Sequence, residues 1–274
     1  MSKIENNQME KTACGSLRLY GHFVSILVRS AMQYKTSFVL GAAGQLFVSF
    51  NQLLGMYFIF TRFRVVKGYT YEEALLCYGI MLLGFSIAQC YARGLESFSS
   101  LVRSGEFDRM MVRPRSTILQ VLGSKFEMNR MFRIVLAAGM LFYGAAQCKT
   151  FQTAGKVAVA AIMVIGTVLL FTGLFMIGAS ISFFTIEDGG FLNILIYGGS
   201  EHGKYPVDIY GKKMLKFCTY VIPYALVQYY PLQYLLGRTD RWEYILYPFG
   251  VLVFFIVCYS VWCFGVRHYY SAGS

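Results

Sequence analysis

The sequence predicts an all-α polytopic membrane protein: six transmembrane helices, an N-terminal interfacial helix and one short helix in a cytosolic loop. Three observations carry this. Charged residues make up 14% of the 274 residues and aromatic residues 17%, with a mean hydropathy of +0.50, whereas a soluble domain carries about 25% charged residues. Apolar runs recur along the chain, each reaching the roughly 20 residues that a hydrocarbon core requires. Between two of them lies residues 97–127, SFSSLVRSGEFDRMMVRPRSTILQVLGSKFE, the longest charge-dense interval flanked by such runs, with Arg103, Glu106, Asp108, Arg109, Arg113, Arg115, Lys125 and Glu127.

Residues 1–35 read as a cytosolic N-terminus and interfacial helix. Within 13–35, Leu19, Phe23, Ile26, Leu27 and Met32 recur at helical spacing with Arg18, His22, Arg29 and Lys35 between them. One apolar stripe beside cations suits a helix lying in the inner interface. The polar residues 1–16 lack a following short apolar region with a cleavage site, so the first span is expected to direct insertion.

The transmembrane domain is expected over 36–266 and a cytosolic tail over 267–274. The first span, 36–60, contains Gln45, Asn51 and Gln52. Polar groups at depth are costly unless partnered, so they face protein or a water-filled path. With Gln89 of the second span and the aromatic Phe47 and Phe50, they are the candidates for lining a pathway. The second span, 73–96, has Gly84, Ala88 and Ala92 every four residues, a face on which another helix can approach closely. The third, 126–147, begins with Arg130 and Arg133, expected to snorkel towards the cytosol. The fourth, 156–181, is nearly all aliphatic, and the last, 243–266, ends at Arg267 and His268.

Inside the 97–127 loop, Gly105 opens a turn, Phe107, Met110, Met111 and Val112 supply an apolar face, and Pro114 stops any helix begun near Glu106. A short amphipathic helix presented to a cytosolic groove fits this pattern, its charges fixing register. Residues 182–242 allow two readings. In one, 185–204 spans and 217–236, interrupted by Pro223 and Pro231, is a broken re-entrant hairpin within 205–237. In the other, 217–236 spans and 185–204 is a cytosolic loop. Counting positive charge favours the second, because it puts Lys204, Lys212, Lys213 and Lys216 inside; two prolines in one span argue against it, since each frees backbone groups in hydrocarbon. Either way six spans result and both termini are cytosolic.

Several function classes fall away. The net charge of +11 is accounted for by basic residues at span ends meeting anionic lipid, and no soluble module remains to bind nucleic acid. The seven cysteines are scattered and form no CxxC pair, and His22, His202 and His268 lie far apart, so neither a disulfide framework nor a metal site is indicated. Gly198–Lys204, GGSEHGK, matches a phosphate-binding loop as far as its lysine. Tyr205 then stands where Ser or Thr must hold magnesium, and Pro206 where a helix should be under way. No bound cofactor is expected on this chain. A membrane-embedded enzyme would need titratable residues clustered at one depth, and only the adjacent Glu187 and Asp188 come near. A structural or sensory membrane subunit without transport activity is the alternative.

The order and wording of these segments resemble the permease subunits of ABC transporters of the ABC type-2 exporter class, the short six-span bacterial permeases with a separate ATPase. The resemblance runs from about residue 18 to the end and rests on Gln33, Tyr34 and Lys35 before the first span, GYTYEEALLCYG at 68–79, GEFDRMMVRPRS at 105–116, and YPVDIY at 205–210 followed by VIPYALVQYYPLQYLLG at 221–237. It implies a coupling helix at about 98–112 resting in a groove of the ATPase, with Arg103, Glu106, Phe107, Asp108, Arg109, Met110, Met111 and Arg113 as coupling residues. It implies re-entrant helices after the fifth span, an ABC ATPase and a second permease copy or related permease as partners, a cell-membrane location, and export of a hydrophobic or amphipathic compound such as a drug or peptide.

Overall fold

The structure, a computed structural model, describes residues 20–33, 35–148, 153–185 and 190–270. Residues 20–33 form α1. The chain continues through α2 (Lys35–Arg62), α3 (Tyr71–Tyr91), the short helices α4 (Arg93–Glu96), α5 (Phe98–Arg103), α6 (Glu106–Met111) and α7 (Thr117–Leu122), then α8 (Arg130–Gln147), α9 (Ala154–Ile181), α10 (Gly190–His202), α11 (Lys212–Tyr220), α12 (Tyr224–Val227), α13 (Tyr229–Leu235) and α14 (Gly250–Arg267). Three 3₁₀ turns, Val207–Tyr210, Trp242–Ile245 and Tyr247–Phe249, complete it. Among the described residues there is no strand, and four helical runs are long and apolar enough to cross a membrane: α2, α3, α9 and Trp242–Arg267. The 18-residue α8 carries Arg130 and Arg133, and α10 has 13 residues, about 20 Å at the usual rise. Glu187, Asp188, Leu19 and Tyr34 lie outside the described residues.

The second span is the hub. In α3, 83% of the apolar window is buried, against 11% in α2. The turn before it is set by Lys67 and Gly68, both at positive φ, and Thr70 caps the helix: its hydroxyl accepts from the Glu73 backbone N–H while the Glu73 carboxylate accepts from that of Thr70. From there α3 packs on α8 almost backbone to backbone. A Cβ on Gly79 would lie 2.8 Å from the Leu141 nitrogen, and one on Gly144 would lie 2.8 Å from that of Leu76. The small-residue row on α3 meets α9, where a Cβ on Gly84 would stand 2.6 Å from the Thr167 side chain.

The two ends of the bundle are distinct. At one lie α4 to α7, with α1 against them: the Tyr20 hydroxyl donates to the Tyr91 carbonyl, and the Phe23 ring fills the place of a Gly123 side chain. Of the interfacial stripe, Phe23 and Leu27 are half-buried while Ile26 and Met32 are exposed. At the other end lies the turn between α2 and α3, where segment 205–238 both enters and leaves. The Tyr69 hydroxyl donates to Asp208 at 3.1 Å, and Arg238 binds the Gly68 carbonyl at 2.6 Å and Glu73 at 2.5 Å. Burial, and then the facing Asp208 carboxylate, push the Tyr69 phenol well above its usual range.

Between those two attachments the segment dips inward and returns. The Tyr224 hydroxyl donates to the Leu195 carbonyl of α10 at 2.9 Å, and its ring meets Phe171. Gln228 then donates to the carbonyls of Gly203 and Tyr205. Both prolines fall where the backbone tolerates them: Pro223 precedes α12 and Pro231 is in the first turn of α13. Among the lysines of this region, Lys204 pairs with Glu201, and Lys212 begins α11 beside the far-end turn that Lys67 ties to Ile209.

Gly144→Ala is expected to lower the melting temperature of the detergent-solubilised protein, by an overpacking cost of about 1–3 kcal/mol. Gly139→Ala, on the same helix with nothing within 4 Å of the added carbon, is expected to be neutral or to gain up to about 1 kcal/mol of helix propensity. Equal shifts of the same sign would refute the backbone contact.

Candidate functional site: an exposed basic lip and a polar column

The charge-dense loop folds as separate short helices. A Cβ on Gly94 would lie 1.8 Å from the Val121 carbonyl, so α4 can rest on α7 only through glycine. The single helix expected over 98–112 is broken: Gly105, at φ 67°, ends α5 and starts α6 in a new direction. The Gln120 amide donates to the Met110 carbonyl at 3.0 Å and the Arg115 carbonyl at 3.1 Å, tying the stretch after α6 back onto α7. Lys125 donates to the Ser100 hydroxyl at 3.0 Å.

The expected apolar docking face turns out to be divided. Phe107 is fully buried inside the chain, its ring 4.9 Å from Phe98, 5.4 Å from Phe183 and 5.2 Å from Tyr269. Trp262 closes the cluster at 5.1 Å from both Phe98 and Phe183. Gly265 makes room, since a Cβ there would stand 2.4 Å from the Phe183 ring. Phe107 therefore anchors α6 to the ends of α9 and α14 and cannot touch a partner. The exposed surface is instead Arg103, Glu106, Arg109, Met111, Val112, Arg113 and Arg115, with Asp108 and Met110 half-buried beside it. Val112 is 86% exposed. This lip is basic with an apolar centre.

A second constellation runs from the lip end into the bundle. Arg93 pairs with Glu96 at 2.8 Å and Glu127 at 3.1 Å, and Arg130 pairs with Glu127 at 3.4 Å. Arg130 also donates to Gln45 at 3.1 Å. The Tyr197 hydroxyl of α10 donates to Glu96 and accepts from the Gln89 amide. Deeper, Gln52 accepts from the Tyr78 hydroxyl at 2.5 Å and donates to Glu201 at 2.8 Å, and Glu201 pairs with Lys204. So Gln45 and Gln89 join one bonded network and Gln52 a second, and the two make up a polar column shared by α2, α3, α8 and α10. Phe47, Phe50 and Asn51 do not: they are exposed on the opposite face of α2, because helical periodicity separates them from Gln45 and Gln52.

Arg133 departs from its expected place. It is 8% exposed, its guanidinium carbon 5.6 Å from the Phe85 ring centre, packed inward rather than snorkelling outward. It lies one turn beyond Arg130, on the face of α8 that packs on α3. Sequence reasoning missed Arg133, Tyr78, Tyr197 and Glu201; helical spacing of Arg130 and Arg133 with the intervening apolar residues was the available signal.

A pocket of about 300 Å³ opens between α4–α5 and α10, lined by Arg93, Glu96, Ser97, Ser100, Arg103 and Tyr197 among others. It joins the lip to the column.

Phe107→Ala is expected to cost about 3–5 kcal/mol of stability, as a large buried ring does, seen as a marked fall in melting temperature; Val112→Ala should shift it by less than about 0.5 kcal/mol. Comparable losses in both would remove the distinction between anchor and lip.

Compared with known proteins, residues 46–273 match the family model described as ABC-2 family transporter protein. No curated protein and no solved structure matches the chain.

Proposed function

The chain belongs to the ABC-2 family of transporter proteins and is a multi-pass membrane permease subunit working with an ABC ATPase, and from that we propose that its exposed basic lip is the surface on which the ATPase sits. The observation that carries this is the division of α6: Phe107 is locked into the bundle while Arg109, Met111, Arg113 and Arg115 face out. A surface helix held so rigidly can pass on a push. The matching groove on the ATPase is acidic at its rim with an apolar floor for Met111 and Val112.

ATP and magnesium are bound and hydrolysed by that partner. Closure of the ATPase pair displaces α6 and, through the aromatic cluster, the ends of α9 and α14, and this switches access between the two sides. The column of Gln45, Gln52 and Gln89 supports a pathway at the α2–α10 side, because half-exposed charge at membrane depth must face water or protein. A second copy or a related permease completes that pathway. Six spans follow if α8 and α10 cross alongside the four long runs, with 205–238 re-entrant at the outer face. The contacts of α1 and Tyr269 with the lip end support cytosolic termini. Export of an amphipathic compound is the transport reading.

Arg109→Glu with Arg113→Glu is expected to leave insertion and melting temperature unchanged and to reduce co-purification of the ATPase by roughly tenfold at low salt, since rim charges govern association. Full retention of the ATPase by the double variant, with substrate-stimulated hydrolysis intact, would sink the lip as the coupling surface.

A further inference from the structure

α10 presents two faces. Tyr197 and Glu201, four residues apart, reach the polar column, while Ile194, Gly198 and His202, at the same spacing, face segment 205–238. Between that second face, the turn Val207–Tyr210, α11 and the approach to α12 lies a cavity of about 190 Å³. Its wall is apolar. Val207, Cys218 and Ile222 are buried in it, Met214, Phe217 and Tyr210 complete it, and no Asp, Glu, Lys or Arg among the described residues lines it. The polar side chains in the wall are turned to backbone: the Tyr224 hydroxyl donates to the Leu195 carbonyl, and the Gln228 amide donates to the carbonyls of Gly203 and Tyr205.

Two adjacent glycines of α10 leave this space, and contact requires only one of them. A side chain on Gly199 would collide with the Tyr224 hydroxyl, whereas a Cβ on Gly198 would meet nothing within 4 Å. Glycine inside a helix weakens it, so the consequence of glycine at 198 is a cavity that stays open. Ile194 and Phe217, 70% and 39% exposed, flank the opening, and a compound dissolved in the bilayer reaches the cavity past apolar side chains. His202 stands edge-on to Tyr210 at 5.0 Å beside them.

Size and wall chemistry select the occupant. An apolar cavity of roughly 150 Å³ stays dry and binds benzene, so one of about 190 Å³ admits a single ring with a small substituent. A charged group would lose its hydration there with nothing to replace it. The rings of Tyr210, Phe217 and Tyr224 and the Met214 thioether favour an aromatic body over a saturated one, through edge-on ring contacts and sulfur–ring contacts. We propose that this cavity holds a neutral aromatic ring of the transported compound. This rests on the permease reading and narrows its substrate class to lipid-soluble aromatics.

The test uses the permease with its ATPase in nanodiscs of zwitterionic lipid and phenyl azide as a neutral photoreactive ring, with labelled peptides located by mass spectrometry. Labelling is expected to saturate and to concentrate in residues 190–222, to be displaced by toluene, less well by methylcyclohexane and not by benzylammonium. Gly198→Phe, which fills the cavity from within, is expected to lower that labelling roughly fivefold, as the loss of one or two ring contacts predicts, and to abolish stimulation of ATP hydrolysis by toluene. Labelling spread evenly over the exposed faces of α2 and α14 overturns the proposal, because lipid tails then fill the cavity as well as a ring does. Labelling that survives Gly198→Phe at an unchanged melting temperature also overturns it; should that variant fail to fold, undiminished labelling in Gly198→Val does the same. Saturable labelling without any stimulation of hydrolysis overturns the assignment to a transported compound. If the native chain retains no ATPase the permease reading fails, whereas an ATPase retained with no enrichment in residues 190–222 removes the cavity assignment alone.

Discussion

The ring cluster of Phe98, Phe107, Phe183, Trp262 and Tyr269 is the constraint on which the functional architecture depends. Edge-on aromatic contacts near 5 Å interlock and do not slide over one another, because interiors packed at crystal-like density respond to a push by moving together. The cluster joins α5 and α6 to the residue that follows α9 and to the last turns of α14. Without it, α6 would be a helix of six residues on a glycine turn, too short to be stable alone and too loosely attached to move anything. With it, a force on the lip reaches two helices, one of them 28 residues long.

Much of the fold was legible because hydrocarbon leaves few options. Apolar windows of spanning length can only be buried or lipid-facing helices, so α2, α3, α9 and the run Trp242–Arg267 could be placed to within about five residues. The helix breaks were legible where a residue forces them, at Gly105 and before Pro223. What could not be read was orientation. Phe107 and Val112 are equally apolar in sequence, yet one is fully buried and the other 86% exposed, because what fills the core opposite α6 comes from Phe183, Trp262 and Tyr269, some 75–160 residues away in the chain. The same applies to Arg133: three residues from Arg130, it is as free to snorkel by sequence, and only the α3 surface bearing Phe85 turns it inward. Phe47, Phe50 and Asn51 were grouped with Gln45 and Gln52 by depth alone, and the helix puts them on another face.

Segment 182–242 was undecidable for a related reason. Composition cannot tell a span broken by prolines from a hairpin that enters and leaves at one end, since both are apolar and both contain turns. The contacts that bring both ends of 205–238 to one end of the bundle are long-range and polar: Tyr69 with Asp208, and Arg238 with Gly68 and Glu73, all at the turn between α2 and α3. Of the four lysines in the charge count, Lys204 is paired with Glu201.

α10 sits between the lip and the far end, with Leu192 and Ile196 buried in the core. α10 is tied to its neighbours by single hydrogen bonds, Tyr197 to Glu96, Gln52 to Glu201 and Tyr224 to the Leu195 carbonyl, and by a glycine face on which a Gly199 side chain would collide with the Tyr224 hydroxyl. Polar ties of this kind exchange partners at little net cost, whereas the aromatic cluster cannot. Glu96 is where the two regimes meet: it is part of the ion-pair set that holds α4 against α8, and it is also the acceptor that holds Tyr197. Glu96 thus ties the ion pairs around α4 to α10 by an exchangeable polar contact, while the aromatic cluster ties α6 to the ends of α9 and α14 by close packing.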